Sequence, residues 1–382
     1  MKKINFERKQ NCFVKTEGIE SKLLWGNLDS VSKPWITVLI PTYKRTELLK
    51  QAIMSVLKQF HTKFFWDIII LDNEPYDGIA NENEKLVKKL ANNRILYYRN
   101  TEHLEPGDNF NRGIQLARGE WITMLHDDDI LVYSALQYLG KAICYCESLG
   151  GKKLGAICAL QEQFQYNLQK EEANIDVEGW NNGISFAPMN MNLYRLKPMH
   201  AVLTTYIGCS IPTCGTTLRK QAVLENGGFD EELGICADQF LFYNLEKKWR
   251  VYNSGQILGF WRWGNNQSSQ NKNHVLVATN QYDFRKYVFH KNPFNFLMGL
   301  LFANSHNKHF VIGYISQIEK GVCGKLSESD FKYVCPHQPS AFMFFCACVV
   351  EYLYKIRQQK KAIKFGKKAW KYLVKEQEKG LI

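Results

Sequence analysis

The sequence predicts an α/β fold, a mostly parallel sheet flanked by helices, followed by a C-terminal helical region. Three observations carry this. From about residue 35, short β-rich runs alternate with helical patterns in a β-α-β-α-β-α-β rhythm. Three of the runs stop abruptly in polar residues: Thr42 with Tyr43, Asp72, and Asp127 to Asp129. Past about residue 280 the alternation gives way to long helical patterns. The 382 residues suit one enzyme-sized domain plus a second unit. We place an N-terminal extension at 1–34, the α/β domain at 35–275 and the helical region at 276–382.

The elements follow in order. "WITVLI" (35–40) is an apolar strand, expected to stop at Pro41. Residues 45–60 carry Leu48, Leu49, Ile53, Val56 and Leu57 at helical spacing, with one buried face. "WDIIILD" (66–72) is a second buried strand, 81–93 a helix and "ILYYRN" (95–100) a third strand. Residues 107–119 read as a helix with Asp108 as its N-cap and Gly119 as its stop. "EWITML" (120–125) is a fourth strand, and it delivers the aspartates. A helix over 132–149 and a strand over 154–160 come next, then an irregular stretch, 161–212, suited to a substrate-facing insertion. Residues 213–233 read as strand, helix and Gly-Gly turn, 237–248 as a helix and 251–263 as a strand.

Composition narrows the function classes. The formal net charge is +12, which fits a solvated basic surface, an anionic substrate or an anionic membrane. The basic residues concentrate near the C-terminus and no nucleic-acid motif appears, so no nucleic-acid partner is expected. Eleven cysteines, an odd number with no CxxC pair, indicate buried free thiols in a reducing cytoplasm rather than a disulfide framework or zinc site. The charged N-terminus lacks an apolar signal core, and "SAFMFFCACVV" (340–350) is too short to span a bilayer. The expected location is cytoplasmic, with peripheral contact at the inner face of the membrane.

The cluster His126, Asp127, Asp128, Asp129 raises the sharpest question. Adjacent carboxylates repel, so they need a counter-charge. At a strand tip they suit a hard cation, held by one or two carboxylates together with substrate phosphates. The blander alternative is a solvated loop or a cap for the next helix. Asp72 ends four apolar residues, where an unpaired acid would be costly. It either caps a turn with Asn73 or hydrogen-bonds a ligand. In open α/β sheets, ligands bind beyond the carboxyl ends of the strands, where these tips converge.

"VLIPTYKR" (38–45), "IIILDN" (68–73), "GDNFNRGIQLARGEWITMLHDDD" (107–129) and "GGFDEEL" followed by "ADQFLF" (227–242) together resemble the successive motifs of family 2 glycosyltransferases with the GT-A, nucleotide-diphospho-sugar transferase-like fold. The resemblance covers roughly residues 35–265. It implies a nucleotide-sugar site lined by Pro41, Thr42, Tyr43 and Arg45, with Asp72 on a uracil base. It also implies Asn109 and Arg112 near the nucleotide and its phosphates, Asp127 near the ribose and Arg262 facing the diphosphate. His126, Asp128 and Asp129 would bind Mg²⁺ or Mn²⁺, and Asp238 would be the catalytic base. Three residues depart from the family pattern: His126 replaces the usual first acid, Ala237 the Glu before the base, and Gly264 a His.

The chemistry implied is transfer of a sugar from a nucleotide-sugar, a UDP-sugar by resemblance, to an acceptor hydroxyl with inversion. A cation and an arginine stabilise the departing diphosphate. Asp238 takes the acceptor proton; its alternative role is to N-cap the helix it precedes. The acceptor would be a saccharide or lipid-linked saccharide, as in surface polysaccharide or glycoconjugate biosynthesis. Two other functions stay open: a non-catalytic sugar-nucleotide-binding protein of the same fold, and a nucleotidyltransferase. Against the latter, "PTYKRTELL" has no glycine. Trp180, Trp261 and Trp263 are candidates for sugar stacking or for core packing. Near the C-terminus, Lys355 to Lys371 interleave with Ile356, Ile363, Trp370 and Val374. That helix either lies on an anionic membrane or packs on the domain with its lysines in water.

Overall fold

A computed structural model describes residues 5–7, 11–29, 33–60, 62–165, 193–196, 213–263, 280, 283–288, 290, 305, 308 and 339–378. Most of the insertion at 161–212, including Trp180, and most of the helical pattern at 292–320 lie outside the described residues.

The α/β alternation is present. Strands β1 (Ser21–Trp25), β2 (Ile36–Thr42), β3 (Trp66–Asp72), β4 (Ile95–Asn100) and β5 (Trp121–Met124) interleave with α1 (Thr46–Leu57), α2 (Glu82–Leu90) and α3 (Pro106–Leu116). Then come β6 (Ile130–Leu131), α4 (Ala135–Ser148), β7 (Leu154–Gln165), β8 (Leu193–Arg195), β9 (Thr217–Arg219) and α5 (Lys220–Glu225). A 3₁₀ turn, Glu231–Cys236, leads into α6 (Ala237–Lys248), β10 (Arg250–Trp263) and finally α7 (Ala341–Glu378).

All ten strands of the described residues form one sheet, in the order β1-β4-β3-β2-β5-β9-β7-β10-β6, with β8 on β10. The stretch β4-β3-β2-β5 is parallel, as is the long β7–β10 pair. β1, β9, β8 and β6 add antiparallel pairings. The stretch 12–25, expected as an extension, therefore supplies an edge strand and a 3₁₀ turn (Cys12–Thr16).

Successive strand residues face opposite sides, and each side has its own core. Ile36, Val38, Ile40, Ile68 and Ile70 pack with α1, α2 and α4, joined by Ala369 and Leu373 of α7. Leu39, Ile69, Leu71, Ile122 and Met124 pack with α3, α5 and α6. Gly113 permits close seating of α3, since a Cβ there would lie 2.6 Å from Leu39 Cδ1.

Three local expectations need correcting. β2 continues through Pro41 to Thr42. The pairing with β5 has already ended at Leu39–Met124, so on that side Pro41 sits at a sheet edge where no donor is required. α3 starts at Pro106, whose missing N–H suits the first turn, and Asp108 lies inside that turn rather than at the cap. The same helix ends at Leu116. Gly119 serves instead a close backbone approach, where a Cβ would lie 2.6 Å from Thr37 N.

The chain leaves β2 toward β3 and β4, then returns to place β5 on the other side of β2. That reversal opens a crevice beyond the carboxyl ends of β2 and β5, the place where such sheets bind ligands. Among the described residues, no helix is long and apolar enough to cross a membrane. The described cysteines, including Cys12, Cys146, Cys158 and Cys214, are free thiols.

Candidate functional site

Thr42 ends β2, and Asp127 follows β5 by three residues. Their side chains meet across the switch point, Thr42 Oγ1 donating to Asp127 Oδ2 at 2.8 Å. Arg45, which precedes α1, bridges the aspartates: its Nη1 donates to Asp127 Oδ1 at 3.2 Å and to Asp128 Oδ2 at 3.0 Å. Lys44 between them adopts a left-handed φ of 54°. For a non-glycine residue that is an uncommon conformation, tolerated where the surroundings enforce it.

A second guanidinium closes the cluster from β10. Buried Arg262 donates from Nε to the Asp128 carbonyl at 2.8 Å and from Nη2 to Gln51 Oε1 at 2.6 Å. Its backbone N–H donates to Asp129 Oδ1 at 3.1 Å. Arginines from two elements thus supply the counter-charge that three adjacent carboxylates require. Burial pushes Asp127 up to about 6, against the pull of Arg45. Asp129 is also held well above the usual carboxylate range, by burial and by the neighbouring Asp128. Burial holds His126 below the usual imidazole range, hence neutral at pH 7. Its Nε2 shares a 2.6 Å hydrogen bond with Thr213, and Phe110 packs edge-on at 5.3 Å.

Asp72, at the tip of β3, is solvated differently. It is fully buried. Oδ1 accepts from Glu74 N–H at 2.9 Å. Oδ2 accepts from Asn81, Asn83 and the Tyr97 hydroxyl at 3.0, 2.9 and 2.7 Å. Next to it, Asn73 accepts from Leu104 N–H and from Asn100, and Asn100 donates to Asn109 at 2.9 Å. Asn109 therefore completes a chain of amides that locks the tips of β3 and β4 onto α3. Tyr43 is 42% exposed, with its ring 4.9 Å from that of His103.

Arg112 faces the sheet edge instead, donating to Ser21 Oγ at 2.8 Å and to Gln115. Asp238 lies in the first turn of α6, which begins one residue earlier, at Ala237. Its Oδ1 accepts from the adjoining Gln239 N–H at 2.7 Å. Burial pushes its carboxyl up to about 7, opposed by backbone N–H groups. The segment before it is anchored to α3: Asn111 accepts from Phe229 N–H at 2.8 Å and donates to Phe229 O at 2.7 Å. Glu231 accepts from Gly107 N–H. Two motifs far apart in sequence are thereby coupled.

Sequence reasoning missed Gln51, Thr213, Tyr97, Asn81, Asn83 and Asn100. Asn100 was findable, because it is the polar end of a predicted strand. Gln51 and Thr213 carry no local signal; only the fold brings them to Arg262 and His126.

His126, Asp128 and Asp129 do not converge into a cage, and among the described residues no group of three His, Cys, Asp or Glu could hold a metal by itself. Both Asp127 oxygens are engaged, and Asp129 is turned to Arg262 N–H and Cys214. Asp128 keeps one oxygen outside the Arg45 contact and is the carboxylate suited to a divalent cation. A hard cation bound by one carboxylate and completed by donor phosphates fits this arrangement.

Residues 37–147, which hold β2 through α4, match the family model for glycosyl transferase family 2. This chain carries a family 2 glycosyltransferase region. Over 107 residues it is 35% identical to a GalNAc(5)-diNAcBac-PP-undecaprenol beta-1,3-glucosyltransferase of Campylobacter jejuni, covering 28% of this chain and 33% of that one. It is 33% identical over 107 residues to an abequosyltransferase of Salmonella typhimurium, covering 27% and 31%. The match thus spans about a third of these relatives' lengths. Among solved structures, S. aureus TarS 1-349 in complex with UDP-GlcNAc superposes with a TM-score of 0.50 at 15% identity, covering 90% of this chain and 92% of that one. At that identity the likeness is one of fold. The glycosyltransferase region carries Thr42, Arg45, Asp72, Asp127 and Asp128, whereas Asp238 and Arg262 lie beyond it.

Proposed function

We propose that this protein is an inverting glycosyltransferase that moves a sugar from a UDP-sugar to a hydroxyl of a saccharide or lipid-linked saccharide, in surface polysaccharide or glycoconjugate biosynthesis. The observation that carries the reading is the cluster of Thr42, Arg45, Asp127, Asp128 and Arg262 at the switch point of the sheet. Those groups suit a nucleoside diphosphate: hydroxyl and carboxylate for the ribose, guanidinium groups for the phosphates.

Each residue then has a task. Tyr43 offers an exposed ring face to the base. Asp72 shapes the base pocket, because its amide and hydroxyl donors hold it rigid. Arg45 and Arg262 stabilise the charge that builds on the departing diphosphate. Mg²⁺ or Mn²⁺ on Asp128 supplies further stabilisation of that charge when bound. Asp238, with a carboxyl near 7, is matched to accepting a proton from an acceptor hydroxyl at neutral pH. Displacement is direct, and the anomeric configuration inverts.

Thermal unfolding of the purified protein with UDP, GDP, CDP or dTDP, each with and without Mn²⁺, tests this reading. Ligands that bind only the native state raise the melting temperature. The expected result is a Mn²⁺-enhanced shift with UDP that Asp128→Ala reduces. An equal shift with all four diphosphates would refute the UDP assignment, and no shift with any would refute the donor site.

A further inference from the structure

The outward face of α7 takes no part in the candidate site. The helix runs 38 residues. Its inner face packs on the domain: Ala369 and Leu373 join the core, and Phe365 lies 5.0 Å from Tyr145 and 5.4 Å from Tyr252. On the opposite side, Phe342 is 75% exposed, Phe345 65%, Tyr352 65% and Leu353 58%. Val349 and Ile363 are exposed as well. At 3.6 residues per turn these positions share one stripe. Contiguous apolar surface of this kind marks an interaction site.

Along the same face the chemistry then changes. Nine lysines and arginines fall between Lys355 and Lys375, with no acid among them. Where the two halves meet, Leu353, Ile356, Arg357, Lys360, Lys361 and Lys364 line an open groove of about 390 Å³. The groove is apolar at one end and cationic at the other.

We propose that this face docks on an anionic phospholipid bilayer. The aromatic half inserts among the headgroups, and the cationic half lies on their phosphates. Apolar burial and attraction to anionic lipid are the two terms that hold an interfacial helix. Charge selects this occupant over a second copy. Parallel pairing would set cations against cations. Antiparallel pairing would set each cationic half against Phe342 and Phe345, with no acid to meet it. A bilayer offers apolar depth and phosphate along one surface. The inference deepens the reading of a lipid-linked acceptor, and the docking itself needs no donor or catalysis.

Vesicle flotation with the full chain tests it. Phosphatidylcholine vesicles are compared with vesicles in which one third of the lipid is phosphatidylglycerol. Wild type is expected to bind the anionic vesicles at least tenfold better, and to lose binding as salt rises. K360Q/K361Q/K364Q should lower partitioning roughly a hundredfold, at about fivefold per cation. F342S/F345S should lower it roughly tenfold through lost apolar insertion. All five substituted side chains are exposed, so melting temperatures should hold and separate lost docking from lost folding. Equal binding to both vesicle types, or to neither, would overturn the proposal. So would a wild-type dimer in light scattering that F342S/F345S converts to monomer, which would assign the stripe to a second copy. A UDP-induced thermal shift is read independently, so failure of the docking leaves the donor-site reading standing.

Discussion

Two ends of one crevice solve the same electrostatic problem differently. At the β3 tip, Asp72 is solvated by neutral donors: two amides, a phenol and a backbone N–H. Beyond β5, Asp127 and Asp128 are held by guanidinium groups from α1's entry and from β10. The first arrangement is rigid and internally complete. The second is charged, and its cations are the kind that also recognise phosphate. Asp238 differs from both, since backbone N–H groups alone oppose its burial, and its carboxyl rises to about 7. One residue type thus meets three surroundings, and the proposed function gives it a different task in each: scaffold, ion handling and proton acceptance.

The largest effect should come from Asp238. Asp238→Asn keeps the shape and removes the proton acceptor. Transfer should fall by about 10²–10⁴-fold, with UDP affinity nearly unchanged. In wild type, the base works only when ionised, so kcat should rise with pH through about 7 and level off above it. Initial-rate measurements of both proteins across pH 5 to 9 check this. A variant that keeps full activity, or a wild-type profile flat through neutral pH, would remove Asp238 from the mechanism.

Much of this contrast was legible in the sequence. The strands ending in Thr42, Asp72 and the aspartates announce themselves, because buried parallel strands read as apolar runs with abrupt polar ends. What was not legible is which cation meets which acid. Arg45 was expected at the nucleotide and Arg262 at the diphosphate, yet Arg45 bonds Asp127 and Asp128, and Arg262 reaches the Asp128 carbonyl only because β10 returns beside β6. Residue 262 lies 134 positions from residue 128, and no local pattern encodes that approach. The edge strand Ser21–Trp25 was missed for a related reason. Its residues are all part-exposed, so it lacks the apolar run that identified the others. Arg112 shows the converse: a motif suggested a place near the phosphates, and the helix turns its guanidinium toward that same edge strand.

Arg45 offers the next test, because it bridges both aspartates while about a third of its side chain stays in solvent. If guanidinium is the resident counter-charge, Arg45→Gln should weaken metal-free UDP binding by about 2 kcal/mol, roughly thirtyfold. With Mn²⁺ present the loss should shrink, since a divalent cation on Asp128 restores positive charge to the cluster. Calorimetric titration with and without Mn²⁺ measures both. An unchanged metal-free affinity would mean that Arg45 merely fills space beside the aspartates.

The smallest effect probes the neutral end. Tyr97→Phe removes one donor to Asp72 and leaves Asn81, Asn83 and Glu74 N–H in place. A hydrogen bond to a charged acceptor is worth about 1.5 kcal/mol at the low end, and three remaining donors argue for that end. Urea unfolding should show this loss in midpoint with an unchanged slope, because the exposed surface does not change. UDP affinity should fall only a few-fold, since the phenol orients Asp72 without touching the donor. If Tyr97→Phe instead weakened UDP as strongly as Arg45→Gln, the division between a scaffold end and an ion-handling end would fail. Asp72 would then belong with the residues that bind the donor directly.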